Sequence, residues 1–414
     1  MSRLVIKNAV ISTPLGNQAL KGKTMADIHT IRNGIIIADD GVITHVGSME
    51  GIDRNEIYGE VIDAQGKCVL PGFIDSHTHL IFGGYRPDEF EWRLKGDTYM
   101  SIMERGGGIQ STVNATRTES EADLEKKADF FIRRMAHMGV TTVEAKSGYG
   151  LDLPSELKML KVIKKLADNP NTSARIIPTF MGAHAVPTEY KGRTSDYIDH
   201  IISSMLPEVK DMAEFCDIFT EKNVFELEDS RRLLNAAKEF GLKPKMHADE
   251  IVTLGGAELA AELGAVSADH LLHISDEGVK ALALSNTVAT LLPLTAFALK
   301  EPFAPARKLI DGGAAVALAT DLNPGSCFSG SIPLTIALAC IYMNMSIEEV
   351  ITALTINAAA AVDRTSSLGT IEVGKKADLV ILHFDSYKFL PYYVGMNCVE
   401  TTIMNGCITA HNDD

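Results

Sequence analysis

Five histidines and one aspartate stand where buried strands are predicted to end, and their types and spacing suit a metal ion. The stretch PGFIDSHTHLIFGG places His77 and His79 one residue apart in an apolar run. Residues i and i+2 of a strand point the same way, so both imidazoles can bind one cation. His247 in KMHADE and Asp321 in ATDLN add a third imidazole and a carboxylate. This set suits Zn²⁺ or iron, and we predict these four residues as the ligands of one cation.

A cation held in this way leaves a position open for water, whose pKa it lowers toward ~7. Glu250 follows His247 by three residues and could orient or deprotonate that water, although a carboxylate near a helix N-terminus is an equally good reading. We expect His270 to polarise a substrate carbonyl or to shuttle a proton. Asp321 could pass a proton to a leaving nitrogen. His184 ends another predicted strand.

A second cation would need a further bridging group, such as a modified lysine on the fourth strand of the predicted sheet. That strand, FCDIFTE, ends in Glu221 with Lys222 beside it. A dinuclear site is therefore an alternative without positive support, and we expect a single cation.

These residues must be positioned by strands that alternate with helices. Amphipathic stretches such as 155–168 and 229–241 separate eight apolar, strand-like runs: 68–77, 139–147, 174–184, 215–221, 243–250, 266–272, 287–293 and 315–323. Eight such units predict a closed (β/α)₈ barrel of the TIM type, in which the C-terminal strand ends open onto one face. The main rival, an open doubly wound sheet, would need a glycine-rich phosphate turn after its first strand, and none stands there.

Both chain ends are rich in short strands and turns. Asp-Asp-Gly ending at Gly41 and Asn405–Gly406 are hairpin signals. We therefore predict an α/β protein with a small β-sandwich domain built from residues 1–68 and 365–414, beside a barrel formed by residues 69–364.

Composition limits the class of function. The chain has 414 residues and a formal net charge of −15, which argues against a nucleic-acid partner. The longest apolar runs are too short and too broken for a membrane span, the N-terminus lacks a signal peptide, and the six cysteines form no CxxC pair. We expect a soluble, cytoplasmic protein. An acidic ligand must then be held by local positive charge, and a homodimer is left open.

Several long segments identify a family. PGFIDSHTH, NGIIIADDGVITHVGS and GTIEVGKKADLVIL resemble the amidohydrolase superfamily of metal-dependent hydrolases. The more specific resemblance, to the imidazolonepropionase family, rests on YRPDEFEWRLKGDTYMSIMERGGGIQSTV, EAKSGYGLD, TFMGAHAVPTEY, HADEIVTLGGAELAAELGAVSADHL and ATDLNPGSC. It runs along nearly the whole chain. It implies hydrolysis of the ring C–N bond of 4-imidazolone-5-propanoate to N-formimino-L-glutamate, a step of histidine breakdown, with one Zn²⁺ or Fe³⁺ per subunit.

The same resemblance implies a set of site residues. The metal positions match the four ligands named above, and the substrate contacts match Arg86, Tyr99, Tyr149, His184, Glu250, Asn323, Gly325 and Ser326. Arg86 also stands out by itself, because a guanidinium in the loop after the first strand could bind a propionate in a bidentate manner. GGGI at 106–109 lacks the Lys and Ser/Thr of a phosphate loop, and we interpret it as a mobile segment that closes over a small substrate.

Two other functions remain as alternatives. A mononuclear-metal deaminase of a nucleobase or related ring could use the same ligands, but it would have no need of Arg86. A non-catalytic binding protein on the same frame would not be expected to keep the full ligand set.

Overall fold

The computed structural model describes residues 2–97 and 105–413. Strands β1–β5 are Arg3–Thr13, His29–Asp39, Val42–Ser48, Glu60–Asp63 and Cys68–Pro71. Strands β6–β13 are Phe73–Asp75, Val140–Lys146, Arg175–Ala183, Phe215–Thr220, Lys243–Ala248, Ser267–His270, Val288–Leu291 and Val316–Leu318. Strands β14–β16 are Leu379–Leu382, Val399–Met404 and Cys407–His411.

The α-helices lie mainly between the strands of the second group. In chain order, α1–α8 are Pro87–Leu94, Ile109–Thr118, Glu121–Ala136, Leu153–Asp168, Thr194–His200, Leu206–Val209, Leu227–Glu239 and Gly256–Leu263. Helices α9–α15 are Asp276–Leu284, Pro293–Leu299, Ala306–Asp311, Ile332–Ile341, Ile347–Leu354, Ile356–Ala361 and Phe389–Tyr392. The helices predicted over 155–168 and 229–241 correspond to α4 and α7.

Strands β6–β13 form one parallel sheet in sequence order, with α-helices between successive strands. Just beyond the strand ends, hydrogen bonds bridge the remaining gap between β13 and β6. The N–H of Asp321 donates to the carbonyl of His77 at 3.0 Å, and the N–H of His79 donates to the carbonyl of Leu322 at 2.9 Å. The (β/α)₈ prediction is confirmed. Three of the predicted metal ligands, His77, His79 and Asp321, take part in the backbone hydrogen bonds that join the first and last barrel strands.

A second sheet unites the two ends of the chain. Its strands run in the order β16-β15-β14-β5-β1-β2-β3, and β4 pairs with β1. The predicted first strand, 68–77, is divided between the sheets: β5 pairs with β1 and β14, whereas β6 pairs with β7. Both predicted hairpin turns are present, and Asn405 and Gly406 have the positive φ values of 51° and 74° that such two-residue turns require.

The barrel helices form because their apolar residues repeat at helical spacing and their ends are capped. Ser120 accepts a hydrogen bond from the N–H of Asp123 at the start of α3, and Asp152 accepts one from Ser155 at the start of α4. The buried side chains of α4 include Leu160 and Ile163, which join the large core around the barrel. Among the described residues, no helix combines the length and apolar character that crossing a membrane requires.

Candidate metal centre and active site

A cavity of about 760 Å³ opens at the C-terminal ends of the barrel strands, where active sites of this architecture lie. Most of the predicted site residues line it. They are His79, Arg86, Tyr149, His184, His247, Glu250, His270, Asp321, Asn323, Gly325 and Ser326. His77 is fully buried beside the cavity floor. Tyr99, the remaining predicted substrate contact, lies outside the described residues.

The four predicted metal ligands converge. The ligand atoms of His77, His79 and His247 lie within 4.8 Å of one another. The Nε2 atoms of His79 and His247 are 3.3 Å apart. Oδ1 of Asp321 lies 3.6 Å from Nε2 of both His77 and His79. Imidazole and carboxylate groups at these separations can share one cation.

The far sides of the ligands are held in place by other groups, as in metal sites of known proteins. Nδ1 of His77 lies 2.6 Å from Oδ2 of Asp269, and Nδ1 of His247 lies 3.1 Å from Oδ2 of Asp217. The hydroxyl of Thr295 donates to Oδ2 of Asp321 at 2.6 Å. The contact of Nδ1 of His247 lacks hydrogen-bond geometry, and the inward Nε2 of His77, which is also buried, has no hydrogen-bond partner among the described residues. A buried nitrogen in this condition, facing three other donor atoms, fits a metal ion.

The protonation states agree with this interpretation for two of the rings. Burial lowers the pKa of His77 and His79 well below the usual value, with help from neighbouring cationic groups, so both rings are neutral at pH 7. Burial acts in the same direction on His247, but the neighbouring Asp217 outweighs it and raises the pKa. A cation at His247 must therefore compete with a proton.

Glu250 and His270 lie next to each other, beside the predicted metal ligands. Oε2 of Glu250 lies 3.5 Å from Nε2 of His270. Burial, reinforced by the charge of Asp321, raises the pKa of Glu250 to about 8, which lies near the pH at which a general base works well. The backbone here is strained, with φ values of 77° at His270 and 54° at Asp321. A positive φ costs conformational energy in a non-glycine residue, and residues in such conformations are concentrated at functional sites.

Tyr149 and His184 cover one side of the metal ligands. The ring of His184 stacks on His79 with a centroid separation of 4.7 Å, and its Nδ1 lies 3.1 Å from the carbonyl of Gly148. Burial lowers the pKa of His184 to about 3, so the ring is neutral. Tyr149 is positioned by Glu156 of α4, whose carboxylate accepts hydrogen bonds from the N–H groups at 148, 150 and 151.

Arg86 lines the same cavity where it borders Gly325. Its Nη1 is 3.4 Å from Oε2 of Glu89, which also accepts a 3.0 Å hydrogen bond from the N–H of Gly108, and its Nε is buried without a partner among the described residues. The guanidinium lies directly on Gly325, because a Cβ atom there would be 1.3 Å from Nη2. Arg93 donates to the carbonyl of Gly325 at 2.9 Å. Two arginines therefore place positive charge beside Gly325.

The NPGS turn that follows Asp321 is held by Asn323. Oδ1 of Asn323 accepts from the N–H groups of Gly325 and Ser326 at 2.8 Å each, and Nδ2 donates to the hydroxyl of Ser326 at 2.9 Å. Asn323 and Ser326 line the cavity, but their side chains are engaged with each other. Gly325 contributes by leaving room for Arg86.

Sequence reasoning missed several residues that shape the site. Thr295, Arg93 and Glu156 gave no local signal. Lys146, in contrast, gave one that could have been used: TTVEAK, at the end of a strand predicted to be buried, contains two charged residues two positions apart. The carboxylate of Glu221 accepts hydrogen bonds from the N–H groups of Ile251 and Val252, and so supports the loop that follows β10.

The fold and the site define a class, the amidohydrolase type of hydrolase, and residues 68–409 match the amidohydrolase family. Solved structures of similar fold include a 5-methylcytosine deaminase from Klebsiella pneumoniae with phosphonocytosine (TM-score 0.73, 17% identity, 99% of this chain and 98% of that chain). Another is an adenosine deaminase from Xanthomonas campestris with bound zinc (TM-score 0.69, 16% identity, 98% and 92%). At these identities the likeness concerns the fold alone.

Relatives of much higher identity narrow the class. The imidazolonepropionase of Bacteroides fragilis is 60% identical over 409 residues, covering 98% of both chains. That of Clostridium tetani is 56% identical over 410 residues, covering 98% of this chain and 97% of the relative. The chain therefore belongs to the imidazolonepropionase family within the amidohydrolases, and it is a hydrolase that acts on a carbon–nitrogen bond. The family predicted from the motifs is confirmed.

Proposed function

We propose that this protein hydrolyses the ring C–N amide bond of 4-imidazolone-5-propanoate, giving N-formimino-L-glutamate in the degradation of L-histidine. The observation that carries the proposal is one cavity that combines two kinds of chemistry. It gathers imidazoles and a carboxylate that can bind a cation, beside Glu250 and His270, and it is also lined by Arg86. A cyclic amide with a propionate arm has complementary chemistry at its two ends. The 60% identical relative named imidazolonepropionase supports the same substrate.

The metal ligands we propose are His77, His79, His247 and Asp321, holding one Zn²⁺ or Fe³⁺ per subunit. Such an ion supplies an acidified water and stabilises developing negative charge. Glu250 accepts a proton from the attacking water, since its raised pKa matches neutral pH. Neutral His270 orients the substrate carbonyl by a hydrogen bond. Asp321, whose outer oxygen is fixed by Thr295, takes the remaining proton of the added water and passes it to the ring nitrogen as the C–N bond breaks, leaving the product carboxylate, while Glu250 releases its proton to solvent.

The substrate contacts we propose lie around the propionate and the ring. Arg86 pairs with the carboxylate in place of its weak contact with Glu89, which is 3.4 Å away. Tyr149 and neutral His184 lie against His79, where the ring must sit to reach the metal ligands. Gly325 and Ser326 belong to the turn that supports Arg86, and Asn323 holds that turn. Tyr99 completes the proposed set from the sequence.

Further parts of the proposal concern the molecule as a whole. We place the protein in the cytoplasm, as a homodimer without a nucleic-acid partner. We divide the chain into a barrel of residues 69–364 and a β domain formed by 1–68 and 365–414. Size-exclusion chromatography with light scattering tests the dimer: a mass near twice 44.8 kDa is expected, and a mass of one chain would exclude it.

The direct test of the function is a turnover measurement on purified, metal-analysed protein. Incubation with 4-imidazolone-5-propanoate should produce formiminoglutamate, detected by mass spectrometry, and a chelator should stop the reaction until Zn²⁺ or iron is restored. Cytosine and guanine, tested in parallel with detection of ammonia, should not react. Ammonia release from these rings without formiminoglutamate formation would replace the proposal by the deaminase alternative.

A further inference from the structure

A layer of buried charge lies directly beneath the metal ligands. Its members are Lys146 and Glu144 of β7, Asp217 of β9, Lys245 of β10 and Asp269 of β11, and all of them are 0% exposed. The formal charges are three negative and two positive. Ionised side chains are costly to bury, so they need close partners of opposite charge. The reaction proposed above uses none of these five residues.

Lys146 occupies the centre of this layer. Its Nζ lies 2.8 Å from Oδ2 of Asp217 and 3.8 Å from Oδ2 of Asp269. Each of these two oxygens is also the atom that contacts a metal-ligand ring: Asp217 at Nδ1 of His247 and Asp269 at Nδ1 of His77. Nζ also lies 2.9 Å from the carboxylate of Glu144. The ammonium thus contacts three carboxylates, and two of them, Asp217 and Asp269, each contact one imidazole.

We propose that Lys146 is a positioning residue for the metal centre. By pairing with Asp217 and Asp269 it fixes the oxygen that lies 3.1 Å from Nδ1 of His247 and the oxygen that is hydrogen-bonded to Nδ1 of His77, and so presents both Nε2 atoms to the cation. Groups that orient metal ligands from behind contribute about 10- to 100-fold to metal affinity or activity. This inference rests on the metal centre of the proposed function.

The geometry explains why an uncharged side chain could not substitute. Without the ammonium, Asp217 and Asp269 would face each other and Glu144 as like charges in a water-free layer. Repulsion would turn the carboxylates away or drive protonation, and either change removes an acceptor from an imidazole Nδ1. Lys245 compensates only in part: its charge acts on Asp269, but its Nζ pairs with Glu144 and donates to the carbonyl of Ser76.

The test is the affinity of the full-length, metal-stripped protein for Zn²⁺, measured against a competing chelator. Lys146→Met should weaken Zn²⁺ binding by about 10- to 100-fold while circular dichroism shows a folded protein. Lys375→Met is the matched control, because Lys375 is also buried but contacts Glu372 and the carbonyls of Gly16 and Leu368. The Zn²⁺ affinity of the control should stay within about threefold of that of the unaltered protein. A change of this size is smaller than the loss of a hydrogen bond to a charged group would cause.

A combined substitution tests whether Lys146 acts through the carboxylates. In a background of Asp269→Asn, Lys146→Met should weaken Zn²⁺ binding by a smaller factor than it does alone. The reason is that the charged carboxylate of Asp269, through which Lys146 acts on His77, is already absent. An unchanged Zn²⁺ affinity in Lys146→Met, an equal loss in Lys375→Met, or fully multiplicative effects would each overturn the inference.

A second route keeps the inference testable if Lys146→Met does not fold. Lys146→Gln keeps a hydrogen-bond donor without the charge. Nitrogen NMR of histidine-labelled, metal-free protein should show His77 protonated at Nδ1 in the unaltered chain and a mixture of tautomers in this variant. An Nε2-protonated His77 in the unaltered chain would refute the inference. Absence of Zn²⁺ binding by the unaltered protein would instead refute the metal centre itself.

Discussion

The contact between Arg86 and Gly325 predicts that one substitution, Gly325→Ala, weakens substrate binding and leaves the stability of the fold unchanged. A Cβ atom at Gly325 would lie 1.3 Å from Nη2 and 2.4 Å from Cζ of Arg86. Gly325→Ala therefore displaces the guanidinium from its present position. The end of a long side chain can move at little energetic cost, and Gly325 has no positive φ that would strain an alanine. We expect the substitution to leave the free energy of unfolding within about 1 kcal/mol.

The expected functional effect follows from the lost ion pair. Hydrogen bonds to charged groups contribute about 1.5–3 kcal/mol, which corresponds to about a 10- to 150-fold change in an equilibrium constant. If Arg86 binds the propionate from its present position, Gly325→Ala should raise KM by about this factor. The value of kcat should change by less than about threefold, because the substitution alters neither the proposed metal ligands nor Glu250.

The assay is steady-state hydrolysis of 4-imidazolone-5-propanoate, with the free energy of unfolding measured by denaturant titration. Gly330→Ala is the matched control: it lies in the same segment, and its Cβ would meet only side chains, those of Met135 (3.2 Å from Cγ) and Leu322 (3.7 Å from Cδ2). An analogue with an ethyl group in place of the propionate should react equally well with the unaltered protein and with Gly325→Ala.

Arg86→Ala should raise KM in the same direction, and combining it with Gly325→Ala should add nothing further, since both remove one contact. The reasoning is refuted if Arg86→Ala raises KM and Gly325→Ala leaves it unchanged. That result would mean that Arg86 does not bind the substrate from the position it holds against Gly325.

Three further predictions concern the metal centre and its base. Asp321→Ala should remove bound metal and reduce turnover to background, measured by elemental analysis and rate; full activity would overturn the ligand set. Thr295→Val removes the 2.6 Å hydrogen bond to Asp321, and we expect about a tenfold or larger loss of kcat/KM; an unchanged value would mean that the bond does not orient the carboxylate. The folded-state pKa of Glu250, about 8, lies above its ordinary value of 4.5, so the folded protein holds the extra proton between these pH values and its stability falls as pH rises through them. Glu250→Gln should therefore stabilise metal-free protein more at pH 8 than at pH 5, by up to about 1.4 kcal/mol per pH unit, and equal gains in Tm at both pH values would contradict the assigned pKa.

Much of the site could be predicted from sequence because its signals are local. The two-residue period of a strand predicted that His77 and His79 share a face, and the two rings do converge although β6 ends at Asp75, before both of them. His247 and Asp321 belong to apolar runs of strand length. Once eight strand–helix units are recognised, barrel closure brings their C-terminal ends to one face, so residues far apart in the chain could be grouped before any coordinates existed.

The division of the run 68–77 between two sheets could not be predicted in this way. β5 is apolar, β6 is apolar except for Asp75, and the two strands are separated only by Gly72. An apolar strand has the same pattern whether its neighbours belong to a barrel or to a β domain, because burial depends on what packs against it. Only the pairing of β5 with β1 and β14 decides its place.

The sequence by itself determined the barrel, the family and the groups that can bind a cation, because these depend on periodicity within short segments and on motifs that are continuous in the chain. Only the tertiary structure decided that Lys146 lies between Asp217 and Asp269, that Gly325 makes room for Arg86 and that Thr295 fixes Asp321. These contacts join strands and loops that are distant in sequence. They depend on the register and tilt of the strands and on the side chains available at the same level of the barrel, which no single segment specifies.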